Sequence, residues 1–206
     1  MTGLLDAQNS SGVLRVTLND PSTRNSLSEA MMAALAAVLA SAATERDVRA
    51  IVLAATGPAF SSGHNLKEIT AHRRDADGGA AYFAELFDQC AALMTSIVRH
   101  PKPVIAEVNG LASAAGCQLV ASCDLAYAAD TASFCTPGVN IGLFCSTPMV
   151  ALSRNVTPKH AMEMLLTGDV IGARQAQAIG LINQAVPANE LGEVVASVAM
   201  KIASKS

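Results

Sequence analysis

Runs of apolar residues predict where the strands of this chain lie. Residues 13–18 (VLRVTL) alternate apolar and polar side chains, as a half-buried strand does. Residues 50–55 and 104–108 are almost continuously apolar, which is typical of strands that are covered on both faces. Similar patterns predict further strands at 125–128 and 181–186. Strand-like segments therefore recur along most of the sequence.

Between these strands, apolar residues recur at helical spacing. Ser28 is a suitable N-cap for a helix that runs to about Ala43, and a second helical pattern covers about 79–100. A shorter helix is expected at 114–122. From Pro148 the chain is predicted to be helical, with breaks at Pro158 and Gly168 and a last helix from Asn189. The two long stripes comprise Met31, Leu35, Val38, Leu39 and Ala42 in the first helix, and Phe83, Phe87, Cys90, Leu93, Met94 and Ile97 in the second.

The alternation of strands and helices predicts an α/β fold with right-handed crossovers. The mixed pattern holds over residues 1–150, which we interpret as a core domain. Residues 151–206 have a largely helical pattern and are interpreted as a separate helical region.

Composition excludes several classes of protein. Of 206 residues, 51% are hydrophobic and only 15% are charged, so the chain can build a core and is not a disordered segment. The formal net charge of −3 gives neither the basic surface of a nucleic-acid-binding protein nor a polybasic membrane anchor. No apolar run reaches the roughly 18 residues of a membrane span. We therefore expect no nucleic-acid partner and no membrane partner.

Cysteine and histidine spacing predicts neither a disulfide framework nor a metal site. The cysteines are odd in number and form no C-x-x-C pair, and His72, His100 and His160 show no ligand-like spacing. The start of the sequence has no apolar signal core and no arginine-rich presequence. A cytoplasmic location is the expectation that follows. The five cysteines are Cys90, Cys117, Cys123, Cys135 and Cys145.

Two loops place small residues where the backbone must approach something closely. Residues 60–67 (FSSGHNLK) follow a buried strand, and residues 109–118 (NGLASAAGCQ) follow another strand and open into a helix. Free N–H groups at a helix N-terminus suit a phosphate, an oxyanion or an enolate. Such loops are also ordinary tight connections, so the residues alone leave both interpretations open.

Longer segments resemble the crotonase superfamily, that is, the enoyl-CoA hydratase/isomerase family. The resemblance is collinear from about 13 to 186, and it implies a ββα spiral core assembled as a trimer or a hexamer. In that family further helices normally follow, so the helical C-terminal region is expected to be truncated here. The matching segments are PSTRNSLS, AFSSGHNLKE, VIAEVNGLASAAGCQLVASCDLAYA, FCTPGVNIGLF and MLLTGDVIGARQAQAIGLINQAVP.

The resemblance also implies a substrate and a set of binding residues. The substrate is an acyl-CoA thioester, with no other cofactor, and its carbonyl oxygen would lie between the backbone N–H groups of His64 and Ala115. For Arg24 and Lys67 the alternative role is that of a solvated surface charge. The residues expected to contact the CoA moiety are Arg24, Ser26, Ser62, Leu66 and Lys67.

The sequence departs from the family at the positions that carry the acid–base chemistry. The two hydratase glutamates fall on Gln118 and Gly138, and the aspartate that related isomerases and dehalogenases use falls on Ser146. Hydration needs carboxylates that hold and deprotonate a water, and an amide cannot titrate. We expect slow or undetectable hydration, and we expect the double change Gln118→Glu with Gly138→Glu to raise the rate if the loop at Gly138 accepts a side chain.

Few other groups are candidates for chemistry. Glu107 is interpreted as a carboxylate at a core edge or an interface, and Asn65 as a loop-stabilising residue. The His64 imidazole and the thiols of Cys135 and Cys145 are alternative catalytic groups, although buried cysteines more often pack as small apolar residues. The function expected is that of an acyl-CoA-binding enzyme of the hydratase/isomerase type. The alternative is a non-catalytic acyl-CoA-binding or regulatory protein with the same fold.

Overall fold

The computed structural model describes residues 3–205 as ten strands and eight helices, with two short 3₁₀ turns at Pro21–Thr23 and Pro137–Ile141. The strands are β1 Leu5–Ser10, β2 Val13–Leu18, β3 Ala50–Ala55, β4 Ala59–Ser61, β5 Val104–Val108, β6 Leu111–Ser113, β7 Leu125–Ala129, β8 Ser133–Cys135, β9 Ile171–Gly172 and β10 Gln184–Val186. The helices are α1 Glu29–Thr44, α2 Leu66–His72, α3 Ala80–Val98, α4 Ala115–Ser122, α5 Ser146–Asn155, α6 Pro158–Thr167, α7 Ala173–Ala178 and α8 Leu191–Ala203.

The larger sheet has six strands in the order β1-β2-β3-β5-β7-β10. Only β1 and β2 are antiparallel, and the other neighbours are parallel. All five residues of β5 and the first five of β3 are buried, because α8 packs against these central strands. Strands covered on both faces have continuous apolar runs, and the predicted α/β fold is confirmed.

A smaller sheet, in the order β4-β6-β8-β9, lies beside the larger one. The sequence analysis missed this sheet, and the loop predicted between 56 and 67 contains β4 and the start of α2. Each of its strands has only two or three residues, which is too short for a recognisable alternation of apolar and polar positions. This sheet positions the candidate site, because β4 and β6 run directly into the two small-residue loops.

Helices α1 and α3 pack together near the site. The Ser28 hydroxyl accepts a hydrogen bond from the Met31 N–H, as expected for the N-cap of α1. In α3 the predicted apolar stripe is shifted, because Leu86 is buried while Phe87 is 44% exposed. Phe87 instead lies beside the His64 ring.

The last third of the chain contributes to the main sheet as well as to the helices. β10 pairs in parallel with β7, and α8 covers the sheet. β10 begins at Gln184, three residues later than the pattern predicts, and α8 begins at Leu191. None of the helices in residues 3–205 combines the length and the apolar character that a membrane crossing requires.

Candidate functional site

The two small-residue loops meet at one end of the short sheet. A Cβ atom on Gly63, whose φ is +86°, would lie 2.9 Å from the Ser113 carbonyl oxygen and 3.2 Å from the Ala115 nitrogen. A Cβ atom on Gly116 would lie 2.3 Å from the Ser61 carbonyl oxygen. The two glycines are therefore needed for the first loop and the start of α4 to come into contact.

Two backbone N–H groups are free where these loops meet. Ala115 is the first residue of α4 and is 1% exposed, yet its N–H donates to no acceptor among residues 3–205. The N–H of His64 also has no acceptor there, although the flanking Gly63 carbonyl accepts a hydrogen bond from the Leu27 N–H at 2.8 Å. Unpaired donors at a helix N-terminus are suited to a negatively charged oxygen.

Ala114 holds a strained conformation immediately before Ala115. Its φ of 50° and ψ of −118° lie in a region that residues with a side chain rarely adopt. The Ala114 N–H donates to the Cys135 carbonyl oxygen at 2.9 Å, which ties this turn to β8. The strain is therefore maintained by the short sheet.

The His64 side chain is a half-buried, neutral imidazole. Its ring lies edge-on to Phe87, with ring centroids 5.7 Å apart and an interplanar angle of 85°. Both ring nitrogens are buried and have no hydrogen-bond partner among the described residues. Burial lowers the pKa of His64, although the Leu27 backbone acts in the opposite direction. The ring is therefore uncharged at neutral pH.

Gln118 lies one helical turn after Ala115. It is 5% exposed, and its buried Oε1 atom has no hydrogen-bond partner within residues 3–205. Its side chain lines an open groove beside α4. The residue thus provides an amide where a hydratase of this family is expected to have a carboxylate.

Gly138 has no space for a side chain. A Cβ atom there would lie 2.7 Å from the Leu143 carbonyl oxygen and 2.8 Å from the Cys145 sulfur. The condition attached to Gly138→Glu is therefore not met, so we do not expect a glutamate at position 138 to add to the hydration rate. The sequence cannot show this, because the obstacle is a carbonyl oxygen brought back by the 3₁₀ turn. Ser146, the third acid position, is the first residue of α5.

Several residues expected to contact the CoA moiety lie together beside the first loop. The Ser62 N–H donates to the Arg24 carbonyl oxygen at 3.0 Å, and the Ser62 hydroxyl donates to the Thr23 carbonyl oxygen at 3.2 Å. Leu66 and Lys67 are exposed at the start of α2. The side chains of Arg24 and Lys67 are therefore available to solvent on the same side of the molecule as the loop.

Ser26 and Asn25 face inward from the same turn. The Ser26 hydroxyl oxygen is buried without a partner among the described residues. Asn25, the middle residue of this turn, is fully buried and donates to the carbonyl oxygens of Thr56 and Ala59, both at 2.8 Å. Its Oδ1 atom accepts from the Asp20 N–H at 2.8 Å. Asn25 therefore ties the Arg24 turn to residues 56 to 59. Its position within the PSTRNSLS segment is the only signal in the sequence for this role.

The thiols near the site are protonated rather than nucleophilic. Burial raises the pKa of both Cys135 and Cys145, and the effect of burial outweighs the Ser113 hydroxyl at Cys135 and the Gly138 backbone at Cys145. The Cys135 thiol donates to the Ser113 hydroxyl at 3.4 Å. These cysteines thus act as packing groups.

The remaining candidates have structural partners. Glu107 is 7% exposed and forms a two-pronged ion pair with Arg15, in which the Nη1 atom donates to Oε2 at 2.8 Å and Nη2 donates to Oε1. The Asn65 side chain accepts from the Lys67 N–H at 3.0 Å and so caps α2. Across residues 3–205, no three histidine, cysteine or acidic side chains gather as metal ligands would.

The sequence profile of the enoyl-CoA hydratase/isomerase family matches residues 8–206. A human relative named mitochondrial enoyl-CoA hydratase domain-containing protein 3 is 51% identical over 195 residues, which cover 95% of this chain and 63% of the relative. The 2,3-dehydroadipyl-CoA hydratase of Escherichia coli is 33% identical over 195 residues, covering 94% of this chain and 73% of that enzyme. This chain thus spans less than two thirds of the human relative's length.

Solved structures agree with these matches. The crystal structure of the human domain-containing protein 3 superposes with a TM-score of 0.93 at 49% identity, covering 98% of this chain and 78% of that one. An enoyl-CoA hydratase from Mycobacterium smegmatis gives a TM-score of 0.92 at 48% identity, covering 98% and 77%. The expectation of a cytoplasmic location is wrong, because the human, rat and mouse relatives are all named as mitochondrial proteins. The profile match, the relatives and the shared fold confirm the resemblance, and the chain belongs to the enoyl-CoA hydratase/isomerase family.

Proposed function

We propose that this chain binds an acyl-CoA thioester and stabilises the negative charge that develops on its carbonyl oxygen. The observation that carries the proposal is the pair of free N–H groups, on His64 and Ala115, where the two loops touch. Each such donor contributes roughly 10²–10³-fold to the rate of a reaction that passes through an oxyanion. In this arrangement the CoA moiety lies near Arg24, Ser62 and Lys67.

The acid–base part of the site is what separates this chain from a hydratase. Gln118 cannot exchange a proton, and Gly138 offers no side chain and no space for one. A positioned general acid or base typically contributes about 10²–10⁴-fold. We therefore expect thioester binding and enolate stabilisation with very slow addition of water.

The test combines a substrate panel with removal of one N–H donor. Crotonyl-CoA, malonyl-CoA and a 3-enoyl-CoA are assayed for binding by calorimetry and for turnover. Ala115→Pro deletes the N–H at the first position of α4, where proline is otherwise tolerated in helices. We expect a loss of roughly 10²-fold or more in any turnover observed, together with weaker binding.

A matched control separates this effect from damage to the fold. Ala80 is the exposed first residue of α3, so Ala80→Pro makes the same change at a helix start away from the two loops. Thermal melts of both variants accompany the assays. Parent-like binding and turnover in a folded Ala115→Pro protein would refute the oxyanion assignment. Binding without any turnover across the panel would instead identify a non-catalytic acyl-CoA-binding protein.

A further inference from the structure

An open groove of about 760 Å³ runs along α4 between α3 and α5. Gln118 lines it one helical turn from Ala115, so the groove begins beside the proposed oxyanion site. About half of its lining residues are apolar, and two of these, Val98 and Val150, are themselves 58% and 46% exposed. The apolar lining residues are Ala91, Met94, Val98, Ala121, Cys123, Val150 and Ala151.

Hydrogen bonds show where the far end of the groove lies. The Asn155 side chain, at the end of α5, donates to the Ala121 carbonyl oxygen at 2.8 Å. Asp124 accepts from the Val104 N–H at 2.8 Å, which places the end of α4 at the start of β5. The rise along α4 from Ala115, beside the proposed oxyanion site, to Ser122, which lines the groove, is roughly 10 Å. This distance suits an acyl chain of medium length.

Two arginines line this far end of the groove. Arg99 is the C-cap residue of α3, and Arg154 lies in the last turn of α5. Both side chains are exposed, and neither forms an ion pair or a hydrogen bond within residues 3–205. Among the described residues, Asp124 is the only acidic one that lines the groove, and one of its oxygens accepts from the Val104 N–H. The far end of the groove thus carries two guanidinium groups and one carboxylate, which leaves a net positive charge there.

We propose that the groove holds the acyl chain of the thioester and that Arg99 and Arg154 bind a carboxylate at the end of that chain. The proposal rests on the function proposed above and makes it more specific, by assigning the substrate to thioesters of dicarboxylic acids. Guanidinium groups bind carboxylates through paired N–H donors. An apolar acyl chain with a terminal anion matches the succession of groups from Gln118 to the two arginines.

The alternative role for these arginines is purely electrostatic. Cations near the C-terminal ends of helices stabilise them through the helix dipole. That role predicts a lower melting temperature when the charges are removed and no change in the choice of substrate. Substrate preference is therefore the readout that distinguishes the two roles.

The experiment compares two series of thioesters that differ only at the end of the chain. Binding of adipoyl-, suberoyl- and sebacoyl-CoA is measured by calorimetry against hexanoyl-, octanoyl- and decanoyl-CoA of the same lengths. We expect at least one dicarboxylic thioester to bind about tenfold tighter than its partner of equal length. Arg99→Gln combined with Arg154→Gln is expected to abolish the difference. Arg46→Gln, at an exposed arginine that does not line the groove, is expected to retain it.

The outcomes separate this inference from the proposed function. Failure of both series to bind would overturn the proposed function itself. Equal affinity for the two series in the parent protein would overturn the carboxylate site and leave thioester binding intact. A preference for dicarboxylic thioesters that survives in the double variant would show that other residues bind the carboxylate, which also contradicts the assignment.

Discussion

At the scale of single residues, the polar side chains around the proposed oxyanion site carry no charge at neutral pH. Gln118 is an amide, burial lowers the pKa of His64, and burial raises the pKa of Cys135 and Cys145. Neutral groups can donate and accept hydrogen bonds but exchange protons poorly with water at this pH. The site is therefore built to bind and polarise a thioester more than to add water to it.

The buried His64 ring predicts a pH dependence of stability. Because its pKa is lower in the folded protein than the ordinary 6.5, the unfolded chain takes up a proton first as the pH falls. The free energy of unfolding should therefore fall as the pH drops through about 6.5. His64→Gln should flatten this dependence, which urea titrations at pH 7.5 and pH 5.5 will measure.

His72→Gln is the matched control for that measurement. His72, the last residue of α2, is half-exposed and hydrogen-bonds through Nδ1 to the Asp75 carboxylate at 2.7 Å, whereas both ring nitrogens of His64 are buried. The control should leave the parent's loss of stability between pH 7.5 and 5.5 in place. An undiminished loss in His64→Gln would show that this ring is not the group responsible.

Substituting the two glutamate positions should have unequal effects. Gln118→Glu places a carboxylate in a 5% exposed position, where burial raises its pKa. Since the unfolded carboxyl titrates near 4.3, the variant should lose about 1–3 kcal/mol of stability relative to the parent between pH 5 and pH 8. Gly138→Glu should cost about 1–3 kcal/mol at any pH, because the Leu143 carbonyl must move.

Neither substitution should produce an efficient hydratase. Gln118→Glu alone should raise hydration of crotonyl-CoA slightly, and the double variant should do no better. Stopped assays at pH 7.5, read beside a melt of each variant, provide the measurement. A stable double variant with a rate well above that of Gln118→Glu would show that the loop at Gly138 accommodates a side chain after all.

At the scale of elements, a short parallel strand and a short helix form the centre of the site. β6 ends at Ser113, and α4 begins at Ala115, which leaves Ala114 alone to turn the chain. This turn aims the first N–H of α4 away from any acceptor in residues 3–205. The strained residue is thus part of the arrangement that keeps the donor free.

Ala114→Gly should therefore make the protein more stable. Relief of a strained φ of 50° gains about 1–3 kcal/mol, and the added freedom of glycine in the unfolded chain costs roughly 0.5–1 kcal/mol. We expect a net gain of about 1 kcal/mol in the free energy of unfolding, measured by urea titration. Thioester affinity should stay within about twofold of the parent, because the Ala115 N–H is retained. A loss of stability would mean that the Ala114 methyl group packs more favourably than its backbone is strained.

The sequence predicts elements well where they are long and buried, and poorly where they are short. The runs at 50–55 and 104–108 are β3 and β5 almost residue for residue, because burial on both faces leaves only apolar residues there. The two loops were also found, because close backbone approach demands small residues such as Gly63 and Gly116. β4 and β6 were not predicted, because three residues are too few to show an alternation of apolar and polar positions.

At the scale of the whole molecule, the way turns and helices fold against one another determines what the site can do. The space at Gly138 is closed by Leu143 and Cys145, and the groove beside Gln118 is bounded by both α3 and α5. No local pattern reports such contacts, because they depend on how turns and helices pack in three dimensions. The resemblance therefore indicates which positions would carry the acids, whereas the sequence does not show whether those positions tolerate a side chain.

An exposed apolar surface adjoins the 3₁₀ turn at Pro137–Ile141. We call it the 141–170 surface; it includes Ile141 and Leu143, which are 64% and 54% exposed, and Leu166 and Val170, which are 60% and 63% exposed. α6 packs against the 3₁₀ turn, which brings these two segments together. Apolar surfaces of this kind commonly mark contacts with other chains. Family membership adds the expectation of a trimer or a hexamer.

We expect this chain to self-associate through the 141–170 surface. Light scattering coupled to gel filtration at micromolar concentration should give a mass above that of one chain, and Leu166→Ser with Val170→Ser should lower it, because both side chains lose the apolar area that association buries. Met200→Ser is the control, since Met200 is 53% exposed on α8 and lies outside this surface. A monomeric parent would contradict the expected self-association. An unchanged mass in the double variant would show that the chains contact each other through another face.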